Sequence, residues 1–200
     1  MNYILVHGAW HGAWVWDRVR SELETSGIKV YTPTLTGLGE RVHLMSPEIG
    51  LETHVNDIVS LIEDEKICDI VLVGHSYAGI VTTVVANRIA EKIARLVYLD
   101  AVVPKSGQCH LDHVPTEYRK YIEIQVKING EGWKIPVVNK ELLGLEHEKD
   151  IDWVMPKLIP HPYRTFTDLV YLAPETYSSV PRSYLIVLVT ICLGAEKCER

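Results

Sequence analysis

Two kinds of apolar spacing alternate along the first half of the chain. Tyr3 to Val6 is a short apolar run that ends at His7-Gly8, and Trp14 to Leu23 then places Val15, Val19 and Leu23 on one helical face, with Gly27 as the stop. Ile28 to Tyr31 reads as a second strand, and Leu51 to Ile62 as a helix whose stripe is Val55, Ile58, Val59 and Ile62. Asp69 to Val73 is continuously apolar after its first residue, the pattern of a strand buried on both faces. Gly79 to Ala90 returns to helical spacing with Ile80, Val81, Val84, Val85 and Ile89 inward, and Leu96 to Leu99 is a fourth strand closed by Pro104. This alternation predicts the α/β class: a mainly parallel, twisted sheet with helices on both faces, because parallel neighbours need a right-handed crossover and a helix supplies it.

Between Lys105 and Val180 the rhythm breaks into charged and aromatic helical stretches interrupted by prolines 136, 156, 160 and 162. Such an excursion predicts a small helical cap at about 105–180, inserted in a single domain spanning 1–200. Pro181 to Val189 reads as a fifth strand. The residues after Cys192 are too few for another crossover, which takes roughly 30 residues with its strands. A C-terminally shortened sheet is therefore expected, with the fifth strand as an edge open to self-association.

Composition narrows the function. The formal charge is 20 − 26 = −6, without a lysine or arginine cluster, so neither a nucleic acid nor an anionic membrane is an expected partner. Apolar runs stay below the ~18 residues of a membrane helix, and Met1-Asn2-Tyr3 leads directly into the first strand, which predicts a cytoplasmic protein. Cys68, Cys109, Cys192 and Cys198 are scattered, without C-x-x-C spacing, and read as reduced thiols. The acidic stretch around Glu146-His147-Glu148, Asp150 and Asp152 reads as a solvated helix start, and His110, Asp112 and His113 as exposed loop polarity. No metal site and no cofactor are expected.

Chemistry concentrates at two strand ends. Gly74-His75-Ser76-Tyr77-Ala78-Gly79 joins the third strand to its helix, where a nucleophile elbow belongs. The turn demands small residues two before and two after the serine, and Gly74 and Ala78 meet that demand. An elbow would raise the Ser76 hydroxyl above the sheet and set the Tyr77 N–H at a helix start, facing a developing oxyanion. His7-Gly8-Ala9-Trp10-His11-Gly12 follows the first strand, and its small residues let backbone approach a substrate, with the Ala9 N–H as second oxyanion donor. His7, Gly8, Trp10 and His75 border these groups and are the candidate substrate-binding residues, although His7 and His11 also read as fixing the loop by hydrogen bonds, and His75 as structural. Trp10, Trp14, Trp16, Trp133 and Trp153 suggest an apolar pocket; core packing explains them equally well.

These blocks, with Leu35-Thr36-Gly37-Leu38-Gly39-Glu40-Arg41, Leu96-Val97-Tyr98-Leu99-Asp100-Ala101 and Pro160-His161-Pro162, resemble the α/β-hydrolase superfamily, and within it the small esterases related to plant methylesterases, hydroxynitrile lyases and their bacterial relatives. The resemblance covers about residues 3–184. It implies cofactor-free hydrolysis of small carboxylic esters by a Ser-His-Asp triad beneath a helical cap, with Ser76 as nucleophile and the amides of Ala9 and Tyr77 as oxyanion hole. Hydroxynitrile lyases of this branch carry a threonine where this chain has Gly8-Ala9, which disfavours lyase chemistry.

The family's acid and histidine follow its last two strands, and here they have no counterpart: Leu188 to Leu193 holds no carboxylate, and the histidines after Ser76 are His110, His113, His147 and His161. The general base is therefore unknown. Asp100, at the end of the fourth strand, is a candidate substitute acid, although orienting a helix or capping a turn accounts for it better, and His161 reads as a cap contact. An esterase impaired by the missing base is the leading expectation. A catalytically silent small-ligand-binding protein on the same scaffold, and a noncatalytic interaction subunit, are the alternatives.

Overall fold

The computed structural model describes residues 1–186. Seven strands and seven α-helices follow one another: β1 (Asn2–Val6), α1 (Asp17–Thr25), β2 (Lys29–Tyr31), α2 (Leu51–Asp64), β3 (Ile70–His75), α3 (Ala78–Arg88), β4 (Ile93–Leu99), α4 (Thr116–Asn129), β5 (Lys134–Ile135), α5 (Glu148–Val154), β6 (His161–Pro162), α6 (Arg164–Thr167), α7 (Pro174–Ser179) and β7 (Arg182–Leu185). Five of the strands form one sheet in the order β2-β1-β3-β4-β7, every pair parallel, and β5 and β6 form a separate antiparallel pair. The parallel sheet and its crossovers are those the alternation predicts.

One face of the sheet carries Ile4, Val6, Ile70, Leu72, Leu96 and Tyr98 and is packed by α2 and α3. Val55, Ile58, Val59 and Ile62 of α2 are all buried, as their spacing predicts. In α3 eight of eleven residues are buried, so this helix is apolar nearly all round, with the sheet on one side and α7 on another. The buried cluster continues without a break into Leu111, Ile122, Val126, Ile135, Val154, Leu158 and Phe166, so the segment between β4 and β7 shares its core with the sheet.

The opposite face is thinner. Leu5, Val71, Val73 and Trp16 form its buried core, supported by Val15 and Leu23. The first turn of the expected helix is instead a 3₁₀ segment, Ala13–Trp16, and Val19 stays largely exposed, so the predicted stripe Val15, Val19, Leu23 is only partly used. Beside α1 an apolar groove of about 510 Å³ runs along Tyr3, Leu5, Val71, Val73, Val97 and Leu99 to Leu185. The fifth sheet strand covers Arg182–Leu185 within the expected Pro181 to Val189, whose last three residues lie outside the described ones.

The register sets what the sheet can present. Val6 pairs with Gly74, His75 with Leu99, and Leu99 with Leu185, so the carboxyl ends of β1, β3, β4 and β7 finish level. In open parallel sheets ligands bind outside that edge, where neighbouring connections diverge. Among the described residues no helix is long and apolar enough to cross a membrane.

Candidate active site

The turn after β3 is sharp and crowded. Ser76 stands at φ 53, in the left-handed region that an L-residue avoids unless its surroundings hold it. Three backbone hydrogen bonds do so: Ser76 N–H donates to Leu99 O (3.2 Å), and Ser76 O accepts from Gly79 N–H (3.1 Å) and Val102 N–H (3.1 Å). The crowding explains the glycines. A Cβ at Gly74 would collide with Thr82 Oγ1 and come within 2.8 Å of Ala78 O, and one at Gly79 would collide with Val102 O. Ala78 is accommodated, as expected. The cramped position after the serine is Gly79, three residues on, because β4 leads straight into Ala101 and Val102 there.

The loop after β1 lies against this turn. A Cβ at Gly8 would stand 3.1 Å from both Ser76 Cβ and His75 Nδ1, so backbone at position 8 takes the space a side chain would fill. Among the described residues, neither the Ala9 N–H nor the Tyr77 N–H donates a hydrogen bond to any protein acceptor. Both residues are buried, and a buried N–H is nearly always paired unless reserved for something else.

Histidines surround these groups, and their tautomers follow from their partners. His7 Nε2 accepts from Leu35 N–H (3.1 Å), so Nδ1 carries the proton and donates to Gly8 O (2.9 Å). Burial pushes its pKa down to about 3. With no exposed surface and both ring nitrogens hydrogen-bonded, His7 is committed to the loop, and its expected loop-fixing bond is present. His11 Nδ1 donates to Ala9 O (2.6 Å), and burial lowers its pKa as well. His75 faces Trp16 edge-on at 6.2 Å, and desolvation pushes it to about 4. His54, on α2, donates through Nε2 to Thr36 O (3.0 Å) and accepts the Tyr77 hydroxyl at Nδ1 (2.9 Å). Burial holds it at about 4.

His110 corrects another expectation. It is buried rather than exposed, its ring 3.9 Å from that of Phe166, its Nδ1 has no partner among the described residues, and desolvation pushes it to about 3. His161 is fully buried; its Nδ1 accepts from Trp10 N–H (3.4 Å) and its Nε2 donates to Thr165 Oγ1 (2.9 Å). It touches the loop after β1 from the far side of the chain. Nothing in the local pattern pointed to His54 or Thr165, whose partners lie in other segments. Trp10 is buried, while Trp14 meets Trp153 edge-to-face at 5.4 Å with Lys157 over both rings. Asp100 follows β4 as Ser76 follows β3, at φ 43, with its side chain exposed. Among the described residues no imidazole hydrogen-bonds the Ser76 hydroxyl, and no group of three or more candidate metal ligands occurs.

Residues 3–198 of this sequence match a family model that describes the alpha/beta hydrolase family. The chain belongs to this family. Among curated hydrolases it is 36% identical over 192 residues to a carbendazim hydrolyzing esterase of Nocardioides sp. (strain SG-4G), covering 92% of this chain and 79% of that protein. It is 30% identical to a putative chloroplastic methylesterase 14 of Arabidopsis thaliana, over the whole of this chain and 61% of that protein. The solved structure of an extracellular alpha/beta-hydrolase from a Paenibacillus species superposes with a TM-score of 0.84 at 27% identity, covering 94% of this chain and 77% of that one; it is described as sharing structural and functional homology with tobacco Salicylic Acid Binding Protein 2. By resemblance to these hydrolases, the chain is an esterase-type enzyme.

Proposed function

We propose that this chain is a serine hydrolase of small carboxylic esters, with Ser76 as nucleophile and the backbone N–H groups of Ala9 and Tyr77 as oxyanion hole. The observation that carries the reading is the strained Ser76 turn with Gly8 packed against its Cβ. Such strain in a non-glycine residue persists where it serves a site, and here it holds the hydroxyl at the carboxyl edge of the sheet. In the first step Ser76 Oγ bonds to the ester carbonyl carbon and its proton leaves to a base. The carbonyl oxygen becomes an oxyanion that the two N–H groups stabilise, and the alkoxide departs with a proton, leaving an acyl-serine for water to hydrolyse. Gly8, Trp10 and His75, which adjoin Ser76 and Ala9, are the residues we assign to substrate binding. Asp100 ends level with the serine and is the acidic group we assign to the site. The two thiols described, Cys68 and Cys109, are free, which supports a cytoplasmic, reducing setting.

The Ser76 hydroxyl has no hydrogen-bond partner among the described residues, which favours a second reading, a scaffold that binds a small ester or acid without turning it over. A serine without its base retains about 10³ to 10⁴ of rate over water from binding and the oxyanion hole, against a loss of about 10⁶ in turnover. Intact-mass analysis after a fluorophosphonate probe, beside hydrolysis of p-nitrophenyl acetate, separates the two. Labelling and turnover that both vanish in Ser76→Ala establish the hydrolase; a folded chain that neither labels nor turns over, yet binds a small ester saturably, is the silent scaffold.

A further inference from the structure

Trp10 is strained in the same sense as Ser76, with φ 64 one residue beyond Ala9. A bulky residue stays in the left-handed region only where its surroundings determine the conformation. Among the described residues its three hydrogen bonds all reach the segment between β4 and β7. Its N–H donates to His161 Nδ1 (3.4 Å), its indole N–H to Ile135 O (3.3 Å), and its carbonyl accepts from Ile159 N–H (3.1 Å). Ile135 and His161 are themselves register partners in the β5–β6 pair, so a single two-stranded element grips the loop.

The His161 ring is set for this task. Thr165 donates its hydroxyl proton to Pro162 O (2.7 Å), which leaves Thr165 Oγ1 to accept from His161 Nε2–H and turns the Nδ1 lone pair toward Trp10 N–H. The same ring lies 4.8 Å from that of Tyr77, whose backbone carries the second donor, and His54 fixes Tyr77 from the other side through its hydroxyl. Both donor segments therefore rest on one buried imidazole.

We infer that His161 is a positioning residue: it locks the Trp10 turn, and with it the Ala9 N–H, and braces the Tyr77 ring, so that the β5–β6 pair sets the geometry of the oxyanion hole. This rests on the reading of Ala9 and Tyr77 as the oxyanion donors. It makes the segment between β4 and β7 part of the catalytic geometry as well as a cover over it.

The test compares His161→Leu, which deletes the acceptor, with His161→Asn, whose Oδ1 takes the place of Nδ1. Amide hydrogen exchange and ¹⁵N resonances of the whole 200-residue chain report the loop directly, and the fluorophosphonate labelling rate of Ser76 reports its consequence. In His161→Leu, Trp10 amide exchange should accelerate about tenfold or more and the Ala9 and Tyr77 resonances should move, with labelling about ten- to a hundredfold slower and any loss in ester turnover falling on kcat rather than KM. His161→Asn should recover most of both. Unmoved Ala9 and Tyr77 resonances in a folded His161→Leu, undiminished labelling, or equal damage in the two variants would overturn the inference. Should His161→Leu fail to fold, Trp10→Phe removes only the indole bond to Ile135 O; moved Ala9 resonances there support the tether, and unmoved ones refute it. A wild-type chain that never labels would defeat the hydrolase reading and leave the resonance arm to decide this one.

Discussion

Lowering the pH should unfold this protein through its histidines. His7 and His110 are held at about 3 and His54 and His75 at about 4, all by burial, against 6.5 for an imidazole in water. The unfolded chain therefore binds protons that the folded chain refuses. The stability is complete well above pH 6.5 and is lost as the pH falls from there toward 3. At pH 5 an ordinary imidazole is about 97% protonated, one held at 4 about 10%, and one held at 3 about 1%, so these four side chains account for about 3.7 protons and a slope of about 5 kcal/mol per pH unit. Integrated from pH 7 to pH 5, the loss is about 2 kcal/mol for each imidazole and about 7 kcal/mol for the four, comparable to the whole stability of a typical domain, about 5–15 kcal/mol. His161, also lowered by burial, acts in the same direction. Urea unfolding followed by tryptophan fluorescence and far-UV circular dichroism at pH 7, 6 and 5 measures the slope, and His75→Gln should reduce it by about one proton. A loss below about 2 kcal/mol over that range would show that the imidazoles titrate freely in the folded state, and would refute the burial from which the argument starts.

Other substitutions probe the two strained turns and the helix behind them. Ser76→Gly should abolish fluorophosphonate labelling while raising stability by about 1 kcal/mol, because glycine accepts φ 53 without strain; a destabilised variant in urea titration would remove the case for stored strain. Gly79→Ala should cost about 2 kcal/mol or more and slow labelling, since its Cβ meets the Val102 carbonyl rather than a movable side chain; thermal melts that match wild type would contradict the crowding. Tyr98→Phe breaks the hydroxyl chain from Thr83 Oγ1 through Tyr98 to Tyr177, each step 2.7 Å, and should cost about 1–2 kcal/mol in chemical unfolding without changing the labelling rate.

Legibility in the sequence followed the range of the interactions. The apolar stripe of α2, the buried run of β3 and the glycine-bounded turn at Ser76 are local patterns, each set within a dozen residues, and period and turn chemistry expose them. The first helix was misread because Val19 fits a helical face that the sheet does not reach, and periodicity says nothing about where a neighbour stops. His110 looked exposed because its surroundings in sequence, Asp112 and His113, are polar, whereas its ring packs on Phe166, 56 residues later (166 − 110). Polarity of sequence neighbours describes a segment's mean environment; a ring's burial depends on which distant residue it meets.

The same distinction separates the elbow from its support. Ser76, Gly74 and Gly79 announce themselves because one tight turn imposes its demands on adjacent residues. The groups that hold the proposed oxyanion donors do not: His7 is 28 residues from Leu35, His54 is 23 from Tyr77, and His161 is 151 from Trp10. Each pairing satisfies a buried polar group that would otherwise cost about 1–3 kcal/mol, so each is strongly selected by the folded structure yet leaves no periodic trace. A histidine between two prolines beyond β4 and a tryptophan near the start of the chain come together only when β5 and β6 pair. The proposed nucleophile can thus be read from one strand end, while the geometry that would make it effective is distributed over the sheet, α2 and the segment beyond β4.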